Sequence, residues 1–163
     1  SRGLGDVYKR QGGRHANAWF GKAKLSVVER YINKLMRTGP YTGKKQGAMK
    51  AFETALDSIA EKSGENPLQT FVDAICNGAP MEEITRIKFG AVSQPKAVDS
   101  SPSRRLDVAL RNLAKGAQQG THKSKRTLTS CIINELTKAS AGDVTSFAVS
   151  KKEELERIAA SAR

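Results

Sequence analysis

Apolar residues recur every three or four positions along most of the chain, which is the spacing of a buried face on an α-helix. The first such segment carries Val27, Val28, Tyr31, Ile32 and Leu35 and extends to residue 37. The same spacing predicts five further helices, at about residues 46–62, 67–77, 102–116, 128–141 and 151–163.

Capping and turn-forming residues mark the ends of these helices. Ser26 precedes the first helix and Glu29 follows three positions later, which is the arrangement of a capping box. Pro67 stands at a helix start, where proline is best tolerated, and Gly116 is predicted to end the fourth helix. Ser150 is predicted to cap the last helix, after a short apolar linker over residues 145–149.

Residues 83–98 have a different pattern, in which β-forming residues are interleaved with charged ones. Gly90 suits a turn in the middle of this stretch, and Pro95 predicts that the second strand is exposed or broken. A two-stranded ribbon is marginal alone, so it would have to lean on the helices or on a partner. The sequence therefore predicts a mainly α fold, a single helical domain of about six helices with one projecting β-hairpin.

The first residues do not follow the helical pattern. Residues 1–11, SRGLGDVYKRQ, can be translated from a transposon-based adaptor that is used to prepare DNA sequencing libraries. We predict that they are a non-native adaptor scar and that the natural N-terminus is missing, with a natural basic arm as the alternative. Residues 12–25 are then a basic, extended N-terminal arm that packs Trp19 and Phe20 against another surface, and residues 26–163 form the helical domain.

Charge narrows the class of partner. The chain has 28 basic and 16 acidic residues and a net charge of +12, and residues 12–163 keep 25 and 15, hence +10. This excess favours a polyanion, nucleic acid before membrane, and no apolar run approaches the roughly 20 residues of a membrane span. Cys76 and Cys131 lie in apolar helical patterns and are predicted to be buried thiols, and no Cys or His spacing predicts a metal or a cofactor.

The basic residues fall in groups. Lys34 and Arg37, like Arg111 and Lys115, are three or four positions apart and share a helix face. Such grouping suits contact with a phosphate backbone, while an ordinary solvated surface is the alternative for any single lysine. The candidate RNA-binding residues are Lys22, Lys24, Lys34, Arg37, Lys44, Lys45, Arg86, Lys88, Lys96, Arg104, Arg105, Arg111, Lys115, Lys123, Lys125 and Arg126.

No constellation in the sequence supports catalysis, because both histidines fall in loops or arms and no nucleophile, zinc or phosphate-loop motif is present. The residues alone leave three readings open. The first is a structural RNA-binding protein, the second a free-standing helical nucleic-acid-binding regulator such as a helix-turn-helix DNA binder, and the third an RNA-modifying enzyme.

Several stretches together resemble a known family. "VVERYINKLMRTGPYTGKK", "GENPLQTFVDAI", "PMEEITRIKFG", "AVDSSPSRRLDVALRNLAKGA" and "SFAVSKKEELERIAASAR" are similar, in this order, to the small-subunit ribosomal protein S-seven family in its archaeal and eukaryotic form, with archaeal features. The resemblance implies a helical domain with a β-hairpin, no catalytic activity, no metal, and a place in the cytoplasmic ribosome.

The resemblance also implies partners. The family binds the 3′ major domain of small-subunit rRNA, nucleates assembly of the subunit head, contacts neighbouring small-subunit proteins, and lies near the exit-site tRNA and the mRNA path. Carried over by position, the rRNA-facing residues of the first helix, its following loop and the start of the fourth helix are Lys34, Arg37, Lys44, Lys45, Arg104 and Arg105.

The hairpin matches the family less closely. Arg86 and Lys88 correspond to its first strand, but the tip reads "AVSQPKAV", where relatives often have an arginine or a tyrosine. Lys96 alone supplies charge there, so tRNA contact by the tip is the weakest expectation that the resemblance gives.

Overall fold

The computed structural model describes residues 19–37 and 39–162. Within them the chain forms a mainly α fold with one antiparallel hairpin, which confirms the predicted fold class. The predicted adaptor segment and the start of the arm lie outside the described residues. The elements are α1 (Val27–Leu35), α2 (Lys45–Ser63), α3 (Pro67–Gly78), β1 (Glu82–Phe89), β2 (Val92–Asp99), α4 (Pro102–Thr121), α5 (Leu128–Ser140) and α6 (Phe147–Ser161).

Local capping explains most of the helix boundaries. The Ser26 hydroxyl accepts a hydrogen bond from the Glu29 N–H at 3.2 Å and so starts α1. Gly64 ends α2 with a φ of 69°, a left-handed conformation that glycine adopts without strain. Asn66 caps α3, with Pro67 in the first turn. These boundaries agree with the sequence to within a residue or two.

The fourth helix is longer than predicted. It continues through Gly116 to Thr121. A Cβ atom on Gly116 would lie 2.7 Å from Glu135 Cδ and 2.9 Å from Phe147 Cβ. This glycine therefore marks a close approach between helices and not a helix end, which is why the prediction was wrong.

The last helix starts earlier than predicted. Its N-cap is Ser146, whose hydroxyl accepts a hydrogen bond from the Val149 N–H at 3.5 Å. The predicted linker over residues 145–149 therefore contains the first turn of the helix, and the predicted cap, Ser150, lies inside it. Glu135 on α5 supplies a second acceptor: its Oε1 takes hydrogen bonds from the Ser146 hydroxyl at 2.8 Å and the Ala148 N–H at 3.0 Å. A buried carboxylate from another helix thus caps α6.

Three aromatic rings form the centre of the core. Tyr31 of α1, Phe52 of α2 and Phe71 of α3 contact one another with ring centroids 5.2–5.3 Å apart, at tilted or edge-on angles that aromatic pairs favour. The Tyr31 hydroxyl is buried and has no hydrogen-bond partner among the residues that the structure describes. Burial raises the pKa of Tyr31, and the negative charge of Glu135 raises it further, so the phenol stays neutral.

Some apolar residues of the helical pattern, including the predicted buried thiol of Cys76, are exposed. Leu68 and Val72 are 50% and 47% exposed, and Cys76 is exposed as well, whereas Cys131 is buried. These three residues are spaced by four along α3 and lie on a stripe beside the one that Phe71, Ala74, Ile75 and Gly78 bury. Trp19 and Phe20 do not pack against the core either, and the residues that follow them, Gly21–Lys24, form a short 3₁₀ helix where an extended arm was expected.

The hairpin is joined to the helices at its base. The register pairs Glu82 with Asp99 and runs to the turn at Gly90, whose φ is 60°. The Glu83 carboxylate accepts a hydrogen bond from the Ser100 hydroxyl at 2.9 Å. It also accepts two hydrogen bonds from the Arg104 guanidinium, one from Nε and one from Nη2, and the Nη2 bond measures 2.8 Å. The Met81 N–H donates to Glu156 of α6 at 2.9 Å. Most of β2 is exposed, as Pro95 predicted.

Candidate nucleic-acid interface

Helices α1 and α4 pack side by side and border an electropositive cleft of about 490 Å³. Two of the predicted pairs meet here, Lys34 and Arg37 from the end of α1 and Arg111 and Lys115 from α4. We call this feature the α1–α4 cleft, and it is lined by Lys34, Arg37, Gly39, Arg111, Lys115, Gln118, Gln119 and His122.

Packing fixes the position of the cleft walls. Ile32 and Leu35 of α1 and Leu110 and Leu113 of α4 are buried, which turns the neighbouring polar positions of both helices outward. The side-chain amide of Gln118 donates to the backbone carbonyl of Leu35 and so joins α4 to the end of α1. Helix spacing then places the four cations on one surface.

The charges in the cleft repel one another. Partial burial lowers the pKa of Lys34, and repulsion from Arg111, Arg37 and Lys22 acts in the same direction, against the attraction of Asp107. A phosphate placed among these cations would relieve the repulsion, because each phosphate carries a negative charge into the cluster. The electrostatics therefore suit an anionic ligand.

Asp107 connects the N-terminal segment to the two helices of the cleft. Its Oδ1 accepts from Arg30 Nη2 at 2.9 Å, and its Oδ2 pairs with Lys22. Burial alone would raise the pKa of Asp107, but the hydrogen bonds from Lys22 and Arg30 outweigh it and lower that pKa. The carboxylate stays ionised and holds the 3₁₀ helix at residues 21–24 against α4.

A basic loop continues from the far end of the cleft. His122 lines the cleft and is the C-cap of α4, and Lys123, Lys125 and Arg126 follow it as exposed residues. Lys123 has a φ of 52°, so the chain turns sharply directly after the helix. These predicted residues thus extend the same basic region.

Other predicted cations lie elsewhere or are paired. Lys44 is exposed at the start of α2, and Lys45 donates to Glu29 at 3.0 Å. Lys24 is exposed in the 3₁₀ helix. Arg104 binds Glu83 at the hairpin base, and Arg105 is half-buried, with its buried Nε lacking a hydrogen-bond partner among the described residues.

The hairpin carries its cations on both faces. Arg86 and Lys88 are exposed and share one face of β1, since side chains alternate along a strand. Lys96 is paired with Thr85 in the register and therefore lies on the opposite face. None of these three residues lines the α1–α4 cleft.

Four residues of the cleft are absent from the predicted set of cations: Gly39, Gln118, Gln119 and His122. The sequence predicts His122 to lie in a loop, whereas it is the C-cap of α4. Counting in helical steps from Arg111 through Lys115 reaches Gln118, Gln119 and His122, so the pattern was present in the sequence. The prediction that α4 ends at Gly116 hides this pattern, because Gln118, Gln119 and His122 then fall outside the helix.

The part of the chain that the structure describes contains no group of three or more His, Cys, Asp or Glu residues that could hold a metal ion. None of its helices is long and apolar enough to cross a membrane.

Comparison with known proteins identifies the family. Residues 6–163 match the family "Ribosomal protein S7p/S5e". The chain belongs to this family. It is accordingly a structural ribosomal protein and not an enzyme, and the resemblance found in the sequence is confirmed. The match begins inside residues 1–11, and the adaptor boundary stays a prediction.

Archaeal members of the family are similar over nearly the whole chain. Proteins named "Small ribosomal subunit protein uS7" from Thermoplasma volcanium and Archaeoglobus fulgidus are 52% and 51% identical over 152 and 151 residues. Each alignment covers 93% of this chain, and 83% and 78% of the respective relative. The corresponding protein of Picrophilus torridus is 50% identical over 152 residues, which cover 93% of this chain and 81% of that relative.

Proposed function

We propose that this chain is a structural protein of the small ribosomal subunit that binds the 3′ major, or head, domain of the rRNA and nucleates assembly of the head. Neighbouring small-subunit proteins are its further partners. The names of its archaeal relatives support the small-subunit placement. The observation that carries the RNA-binding part is the α1–α4 cleft, where separate basic pairs of the sequence converge.

The residues of the cleft suit backbone recognition. Arg37 and Arg111 can each grip a phosphate with two parallel hydrogen bonds, while Lys34 and Lys115 act as point charges. Gln119 is exposed at the same cleft, where polar side chains can reach 2′-hydroxyl groups. Because A-form RNA hides most base edges, a cleft of this composition reads backbone shape more than sequence.

The hairpin is proposed to lie near the exit-site tRNA and the mRNA path. Eight residues per strand give a ribbon roughly 27 Å long at about 3.4 Å per residue, long enough to project well beyond the helices. Its cations lie on both faces, Arg86 and Lys88 on one and Lys96 on the other. A ribbon charged on both faces suits insertion between two RNA strands.

The test removes the four cleft cations by substituting Lys34→Gln, Arg37→Gln, Arg111→Gln and Lys115→Gln. Affinity for a head-domain rRNA fragment is measured over a series of salt concentrations. Each phosphate contact contributes about 0.7–0.9 to the slope of log K against log salt, so we expect the slope to fall by about 3. Circular dichroism verifies that the variant retains its helices.

A matched variant separates this effect from the general loss of charge. Lys50→Gln, Lys62→Gln, Lys152→Gln and Arg157→Gln remove the same charge from α2 and α6. We expect this control to keep most of the slope. Equal slopes in the two variants would contradict a phosphate-binding cleft. Tighter binding to duplex DNA than to the rRNA fragment would favour the alternative, a free-standing regulator.

A further inference from the structure

Trp19 and Phe20 place two large aromatic rings in solvent. Their side chains are 95% and 82% exposed, although aromatic residues of this size are on average mostly buried. They are consecutive, and they directly precede the 3₁₀ helix at Gly21–Lys24. Exposed apolar area of this kind points to a binding site, because a folded chain gains nothing from leaving it uncovered.

The aromatic pair is attached to a well-anchored segment. Gly21 is buried, and the Ala23 N–H donates to the Phe20 carbonyl at 3.0 Å. Lys22 pairs with Asp107 on α4. Phe20 itself has a φ of 54°, an unusual conformation for a bulky residue that the surrounding contacts must hold. The rings are therefore presented from a fixed base.

The surroundings of the pair are basic. Lys22 and Lys24 follow it within five positions, and Lys22 lies close enough to Lys34 of the α1–α4 cleft to repel its charge. The nearby carboxylate of Asp107 is already engaged by Arg30 and Lys22. Aromatic rings next to basic side chains match single-stranded nucleic acid, which offers flat bases and phosphates together.

We propose that Trp19 and Phe20 form a stacking site for unpaired bases of the RNA whose phosphates occupy the α1–α4 cleft. This inference rests on the proposed function. Unpaired bases at loops, bulges and strand ends stack on aromatic side chains, and any base offers a suitable face. The cleft then binds the backbone, and the aromatic pair binds bases beside it.

The first experiment measures affinity for the head-domain rRNA fragment with the full chain carrying Trp19→Ala and Phe20→Ala. We expect affinity to fall by about 5-fold to 150-fold for each base that no longer stacks. The salt slope should stay unchanged, because no cation is removed. Substituting tyrosine at both positions should restore most of the affinity, since the aromatic faces are kept.

A control variant truncates exposed apolar side chains elsewhere on the surface. Leu68→Ala and Val72→Ala truncate two exposed side chains on α3. We expect this control to bind RNA as the unmodified chain does. An equal loss of affinity in this control would mean that the effect is not specific to the aromatic pair, and the proposal would fail.

The second experiment needs no substitution. Trp19 is the single tryptophan of the chain, so its fluorescence reports on this site alone. In the free protein acrylamide should quench it strongly, and bound RNA should both quench the emission directly and protect the ring from acrylamide. Emission and acrylamide access that do not change at saturating RNA would overturn the stacking site.

The outcomes distinguish this inference from the proposed function. If the unmodified chain shows no preference for head-domain RNA, the proposed function fails, and the stacking site fails with it. If that preference and the dependence on the cleft are found but the alanine variant binds normally, the stacking site alone is wrong. An alanine variant that binds RNA normally but loses a neighbouring small-subunit protein would assign the pair to a protein contact and overturn the inference.

Discussion

Glu135 shows how one buried side chain can join two helices. Its carboxylate accepts from the Ser146 hydroxyl and the Ala148 N–H at the start of α6. The first N–H groups of a helix have no hydrogen-bond partner within the helix and carry partial positive charge. A carboxylate at this end therefore accepts their hydrogen bonds and stabilises the start of the helix. The carboxylate lies where Gly116 leaves room for it.

We therefore expect Glu135→Ala to lower the free energy of unfolding by about 2–4 kcal/mol, because two buried donors lose their acceptor. Glu135→Gln keeps a carbonyl oxygen at this position and should cost less than about 1.5 kcal/mol. Urea unfolding monitored by circular dichroism measures both values. Equal losses for the two variants would contradict the capping role.

Two glycines within helices should respond oppositely to alanine. A Cβ on Gly116 would collide with Glu135 and Phe147, so we expect Gly116→Ala to destabilise the fold by about 1–3 kcal/mol. A Cβ added to Gly47 in α2 would meet no side chain of a non-adjacent described residue within 4 Å. Because alanine is favoured over glycine inside a helix, Gly47→Ala should stabilise the fold by about 0.5–1 kcal/mol. Thermal unfolding of the two variants shows whether each substitution raises or lowers the stability of the fold. A stabilised Gly116→Ala variant would contradict the close approach of α4 to Glu135 and Phe147.

At the scale of elements, the hairpin depends on a few contacts at its base. Arg104 donates to Glu83, and this bond is the main reason that the pKa of Glu83 lies below its ordinary value of 4.5. Since the folded pKa is lowered, the contribution of this bond to stability is present above pH 4.5 and is lost as the pH falls through the folded pKa.

We expect Arg104→Ala to reduce hydrogen-exchange protection of the hairpin amides at pH 7 while protection in α4 and α5 stays the same. Below the folded pKa of Glu83 the unmodified chain should lose the same hairpin protection, because the protonated carboxyl no longer pairs with Arg104. Arg86→Ala, on an exposed strand position, is the control. Unchanged protection in the Arg104 variant would contradict the role of this ion pair.

The elements also show what the sequence could predict. Caps such as Ser26 and Gly64 act within a few residues, so helical period and capping chemistry located most boundaries correctly. The wrong cap at Ser150 had a local alternative, because the Ser146 hydroxyl accepts a hydrogen bond from the Val149 N–H. The wrong boundary at Gly116 depends on Glu135, which is distant in sequence and buried by tertiary packing. Local signals contain no information on such a contact.

At the scale of the molecule, the basic charge and the family could be predicted, but the cleft could not. Lys34 and Arg111 are 77 positions apart, and only the packing of α1 against α4 brings them together. Arg104 has the same charge as Arg111 but is engaged by Glu83. Which cations face a partner is therefore decided by tertiary structure, not by composition.

The central claim is that this basic helical domain recognises the folded head domain of small-subunit rRNA. The most direct test is equilibrium binding of the folded chain, at about physiological salt, to head-domain RNA and to an unrelated RNA of equal length. Proteins typically bind their specific nucleic-acid site about a thousandfold or more tightly than a non-specific one. We expect an affinity for head-domain RNA that is higher by that order. Equal affinity for the two RNAs would contradict the account.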